Sequence, residues 1–80
     1  MTVNEAVQKR ILDICRDKNI SINKLCILSG VTQSTVNNIL SRKNTSPTII
    51  TIKRLCDGAD MSISEFFDST LFDNLDDYMF

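Results

Sequence analysis

The chain has no histidine and no tryptophan, a single proline, two glycines and three cysteines among its 80 residues. Without histidine, the most common general base and transition-metal ligand is missing. Cys15, Cys26 and Cys56 have neither CxxC spacing nor the partners that would complete a zinc site. No phosphate-cradling glycine loop and no carboxylate pair at a recognisable spacing is present, so nothing points to an enzyme, a cofactor, a metal or a small-molecule ligand. So few glycines and prolines also exclude a turn-rich β fold and a disordered tract. The longest apolar run, Leu25 to Leu28, is far too short to cross a membrane. The start of the chain lacks the apolar region of a signal peptide, so a reducing cytoplasm is the expected setting.

One small domain is expected at this length, where about 60% of the unfolded chain's surface is buried on folding. The 42% apolar content suffices for a helical core. The net charge of −1 hides an asymmetry. Residues 1–56 carry nine Lys or Arg against three acids, a net +6, whereas residues 57–80 carry seven acids and no cation. A basic body with an acidic end suits an anionic partner approached by one face. Ordinary charge scatter is the plainer alternative. The three cysteines fall on the apolar sides of expected helices, where Cys packs as a small hydrophobe.

The informative stretch is Ile20 to Ile39, ISINKLCILSGVTQSTVNNI. Leu25 and Leu28 repeat at helical spacing, as do Val36, Ile39 and Leu40, which predicts two short amphipathic helices. Gly30 lies between them, where a helix ends in a left-handed residue that glycine adopts without strain. Ser21 and Thr32 are candidate caps, with Ile20–Leu25 and Val31–Val36 as hydrophobic staples. Two capped helices joined by a short glycine-containing turn read as a helix-turn-helix.

With Leu25 and Cys26, Gly30, then Val36 and Ile39, the chain resembles the phage Cro and CI repressor type of helix-turn-helix protein, the Xre family. Pro47 before a fourth helix and Ser62 to Glu65 at the start of a fifth fall at family spacing, and the resemblance spans roughly Val7 to Phe67. It implies an all-α, compact five-helix bundle of the lambda-repressor-like DNA-binding type with the helix-turn-helix at its centre. The domain is expected over residues 1–69, with 70–80 as an acidic-apolar tail. Two departures stand out. Arg42 occupies a position where relatives carry glycine, which makes Asn44 the next left-handed candidate. Many relatives join the first helix to the end of the third through an Arg and a Glu, but those positions here are Cys15 and Leu40, both apolar. The two are expected to pack together.

Elsewhere, Thr2 to Glu5 reads as a capping box opening a helix over about Val3 to Lys18, with Val7, Ile11, Ile14 and Cys15 as its buried stripe. Its cations Lys9, Arg10, Arg16 and Lys18 are expected mostly in solvent. Ser46-Pro47 is the expected opening of the fourth helix, with Ser46 as cap. Ile49, Ile52, Leu55, Cys56 and Ala59 form its inner face, leaving Ile50 exposed. The resemblance implies that Asp60 stands where relatives end the fourth helix with a left-handed glycine, a role Asp tolerates at some cost. Ser62 to Glu65 is expected to cap a fifth helix ending near Asp68, with Met61 and Phe66 as staple. In the tail, Leu71, Phe72, Leu75, Tyr78 and Met79 share one face of a candidate helix. That face needs the chain's own core, a second copy or another protein. A second copy is the expected partner, because an operator of two half-sites needs a symmetric pair; a frayed terminus is the plainer alternative.

In this motif the second helix of the pair lies in the major groove. On its wheel Ser34, Asn38 and Ser41 oppose Val36, Ile39 and Leu40, with Asn37 beside them. The resemblance implies that Thr32, Gln33, Ser34 and Asn38 face the bases, and Asn37 completes the expected reading set. Phosphates are expected at Ser21, Asn23 and Lys24, where a helix N-terminus offers free N–H groups, and at the loop residues Arg42, Lys43, Asn44 and Thr45. The expected function is sequence-specific binding of a double-stranded DNA operator by a homodimeric transcriptional regulator, a repressor. A protein-binding helical module of the same fold, antitoxin-like or adaptor, is the alternative.

Overall fold

Every helix begins at a side chain that closes its first turn. The computed structural model describes residues 1–41 and 47–76, and within them five helices follow in order: α1 Val3–Lys18, α2 Ile22–Ser29, α3 Gln33–Ser41, α4 Ile49–Gly58 and α5 Ile63–Phe67. A 3₁₀ turn, Thr70–Phe72, comes last. No strand occurs among the described residues. None of the described helices is long and apolar enough to cross a membrane.

Thr2 and Ser62 form complete capping boxes with Glu5 and Glu65, as their spacing predicts. Each glutamate accepts from the backbone N–H of its capping residue, which holds its carboxyl below the ordinary value. Ser21 accepts from the Lys24 N–H at 3.0 Å. The α4 cap differs from expectation. Thr48, not Ser46, accepts from the Thr51 N–H at 3.2 Å, and Pro47 precedes the helix. This register puts buried Ile52 at the fourth helical position, where an apolar residue fixes the entry of the chain. Ser46 itself, and the turn expected at Arg42 and Asn44, lie outside the described residues.

The core collects Val7, Ile11, Ile14 and Cys15 from α1, Leu25 and Cys26 from α2, Val36 and Ile39 from α3, Ile52, Leu55 and Cys56 from α4, and Phe66 from α5. Each large apolar side chain so buried contributes about 1.5–3 kcal/mol relative to exposure. The three cysteines are free and buried, and burial pushes their thiols up. Cys15 is a member of this cluster, and Leu40 is partly buried against the cluster as a whole.

Two apolar expectations fail. Leu28 is 49% exposed and Ile49 59% exposed. On α2 the buried face lies between Leu25 and Cys26, and at 100° per residue Leu28 falls about 110° from its centre. Ser29 lies near that centre instead. Ile49 is the first residue of α4, and helical Cβ atoms tilt toward the N-terminus, so its side chain projects past the packed turns. Ile50 is exposed as expected, at 62%.

Arg10 is not a solvated cation. Its Nε donates to the Phe66 carbonyl at 2.6 Å and a terminal nitrogen donates to the Glu65 carbonyl at 2.8 Å. These carbonyls end α5, and although the Glu65 carbonyl also accepts from the Asp68 N–H at 3.2 Å, the guanidinium satisfies their remaining acceptor capacity and complements the dipole. Gln8 does similar work at the other side of α1, donating from Nε2 to the Ile39 carbonyl at 2.7 Å.

The tail is not a helix over its described part. Phe72 meets the Phe67 ring edge-on at 4.9 Å between centroids and lies 6.2 Å from Phe66. Asp73 is extended and Asn74 is left-handed at φ 56°, which breaks the helical register. The Asp76 N–H then donates to the Met1 carbonyl at 2.9 Å, and the Asp76 carboxylate pairs with the N-terminal amine. A short segment with a free choice folds onto its own core when an aromatic side chain reaches it. Tyr78 and Met79 lie outside the described residues.

The α2–α4 contact is the most extensive between helices. At Gly58 an added Cβ would lie 2.7 Å from the Ser29 Cβ and backbone nitrogen and 2.8 Å from its Cα. Gly58→Ala should therefore destabilise the fold by about 1–3 kcal/mol, despite alanine's better helix propensity. Gly30→Ala meets nothing within 4 Å but must hold φ 69°, a strain of about 1–2 kcal/mol. Urea melts check both losses, and adding Ser29→Gly should not relieve the first, because the Ser29 backbone nitrogen and Cα stay within 2.8 Å of the added Cβ. Cys15→Arg should also destabilise strongly, because it puts an unpaired charge in the core. Adding Leu40→Glu should recover part of the loss. A pair no more stable than Cys15→Arg alone would show that positions 15 and 40 are not in contact.

Candidate nucleic-acid interface

The candidate surface lies on α3, whose register is fixed by its start and by its buried residues. Gly30 ends α2 at φ 69°, its N–H donating to the Cys26 carbonyl at 3.0 Å. Val31 turns inward, and two residues later α3 begins. The Thr32 hydroxyl accepts from the Thr35 N–H at 3.3 Å, so the expected cap is present. Val36 and Ile39 are buried, which leaves Gln33, Ser34, Thr35, Asn37, Asn38 and Ser41 exposed. The helix carries no charged residue.

These polar side chains divide into two groups. The Thr32 and Thr35 hydroxyls lie 2.8 Å apart and bond one another, and the Ser41 hydroxyl donates to the Asn37 carbonyl at 2.7 Å. Their hydrogen bonding is spent locally. The side chains of Gln33, Ser34, Asn37 and Asn38 have no partner among the described residues. All four belong to the expected reading set, and the structure brings them onto one exposed surface. Thr32, the fifth member, stands at the edge of that surface as a cap. The tie between Thr32 and Thr35 was not foreseen. A threonine at the cap with another three residues on is the signal that could have shown it.

At the expected phosphate positions, Ser21, Asn23 and Lys24 are exposed in the first turn of α2. Ser21 satisfies the Lys24 N–H, and the other N–H groups of that turn have no helical acceptor. The N-terminal end of a helix is partially positive and attracts anions. Arg42, Lys43, Asn44 and Thr45 lie outside the described residues. Among the described residues no group of His, Cys, Asp or Glu is arranged to hold a metal ion.

The sequence matches the family model of the Cro/C1-type HTH DNA-binding domain over residues 10–70. The chain belongs to that family. Its fold is accordingly the lambda-repressor-like bundle, and its role is that of a DNA-binding regulator family rather than an enzyme family. Among solved structures, this Cro/C1-type domain is similar to the one titled "Crystal structure of the prophage Lp1 protein 11". The TM-score is 0.78 at 33% identity, over 86% of this chain and 91% of that one. A comparison with curated proteins finds no match. Within the family frame, α2 and α3 are the helix-turn-helix pair.

Proposed function

We propose that the protein is a sequence-specific transcriptional regulator, a repressor, that binds a double-stranded operator with α3 in the major groove. The observation that carries this reading is the unpartnered, uncharged polar surface of Gln33, Ser34, Asn37 and Asn38. A solvated helix face ordinarily carries Glu and Lys, whereas amides and hydroxyls are the groups that read base edges. Thr32 joins them at the helix start. Ser21, Asn23 and Lys24, with Arg42, Lys43, Asn44 and Thr45 of the following loop, supply phosphate contacts that set register without carrying sequence information. The protein acts in the cytoplasm as a homodimer. A symmetric pair places two recognition helices about 34 Å apart on successive turns of the duplex. Phe72 is engaged in its own core, so its side chain is not offered to a dimer contact through the tail.

A second reading has an observation of its own. Ile27 and Leu28 on α2, and Ile49 and Ile50 on α4, are all exposed, as a protein-binding module of this fold would require. Salt separates the two, because every phosphate contact releases counterions and steepens the salt dependence of binding.

In fluorescence titrations with the preferred duplex and with random duplex, Gln33→Ala should cost about 1–3 kcal/mol on the former and little on the latter. Lys24→Ala should weaken both and lower the slope of log K against log salt by about 0.9. Equal losses on both duplexes for Gln33→Ala would remove it from base reading. Binding that is insensitive to salt would favour the protein-binding module.

A further inference from the structure

The operator reading leaves open which bases the protein requires, and the side-chain chemistry of α3 narrows the choice. Each base pair shows a distinct pattern in the major groove, and each is matched by a particular kind of side chain. Guanine presents two acceptors and is read by Arg or Lys; cytosine presents a donor and is read by Asp or Glu. Adenine presents one acceptor and one donor, N7 and N6, and is read by the amide of Asn or Gln. From Gln33 to Ser41 there is no Arg, Lys, Asp or Glu, and there are three amides. Those amides have no partner among the described residues, in contrast to Gln8, whose amide is bound to the Ile39 carbonyl.

Spacing supports a joint role. Gln33 and Asn37 are four residues apart and so share one side of the helix, about 6 Å apart along its axis. Asn38 lies on the neighbouring row with Ser34, which can donate or accept and therefore discriminates weakly.

We propose that the base pairs under α3 are A·T pairs, recognised through adenine N7 and N6 by Gln33, Asn37 and Asn38, and that no G·C pair is required there. This rests on the operator reading of the preceding subsection. Specificity of this kind comes from neutral bidentate pairs, so it persists as salt rises while total affinity falls.

Selection from random duplex by the wild-type chain, and by Gln33→Ala, Asn37→Ala and Asn38→Ala, tests the proposal. All three positions are exposed, so the variants keep the fold. The base positions whose preference each variant loses are the ones it reads, and they should be A·T. Replacing adenine by 7-deazaadenine at the Gln33-dependent position should weaken wild-type binding about 10-fold, from the loss of the N7 half of the bidentate pair. The same replacement should leave Gln33→Ala unchanged. If the variant-dependent positions are G·C, or if 7-deazaadenine is harmless to the wild type, the adenine assignment is overturned while operator binding stands. If wild-type selection enriches no sequence over random duplex, the operator reading falls and takes this assignment with it.

Discussion

Two side chains, Val36 and Ile39, decide how α3 is presented, and the proposed interface depends on them. A helix of nine residues has too few internal hydrogen bonds to persist alone in water. Its rotation is set by which residues it buries, and burying these two turns the amides and hydroxyls outward. The rest of the molecule makes that burial possible. α1, α2 and α4 supply the opposing apolar surface, and α2 and α4 approach closely enough that residue 58 has no room for a side chain. Gln8 then ties the Ile39 carbonyl to α1, so the end of α3 is held by a hydrogen bond as well as by packing.

The same economy governs the helix ends. Short helices expose a large share of unsatisfied backbone groups, and each such group left buried costs about 1–3 kcal/mol. The protein closes its helix starts with Thr and Ser hydroxyls, and it closes the end of α5 with the Arg10 guanidinium. No buried side-chain nitrogen or oxygen among the described residues lacks a partner. On exposed α3, by contrast, the side chains of Gln33, Ser34, Asn37 and Asn38 have no partner among the described residues and remain open to a ligand.

Much of this was legible in the sequence because it rests on local rules. Caps, staples and the left-handed position at Gly30 depend on a few adjacent residues, and apart from α4, whose cap is Thr48 rather than Ser46, the helices begin and end almost where those signals put them. What escaped depends on distant parts of the chain. Arg10 meets α5 across 55 residues, Gly58 meets Ser29 across a helix contact, and Phe72 finds the Phe66–Phe67 pair only after the bundle forms. Periodicity also overreached at Leu28 and Ile49, because a helical stripe says which residues align and not how wide a strip its neighbours cover. The exposed surface of α3 was legible from its wheel. Which of its polar groups are free, and which are already bonded to each other, was not.

The side-chain amide protons of the protein report most directly on whether that free surface is the one used. In two-dimensional ¹H–¹⁵N spectra of the labelled chain, each Asn and Gln gives its own pair of NH₂ signals. On titration with its selected duplex, the pairs of Gln33, Asn37 and Asn38 should shift and become protected, while that of Gln8, held by the Ile39 carbonyl, should stay in place. Unchanged signals from all three, with shifts concentrated instead on the α2 and α4 residues around Leu28 and Ile50, would contradict the account.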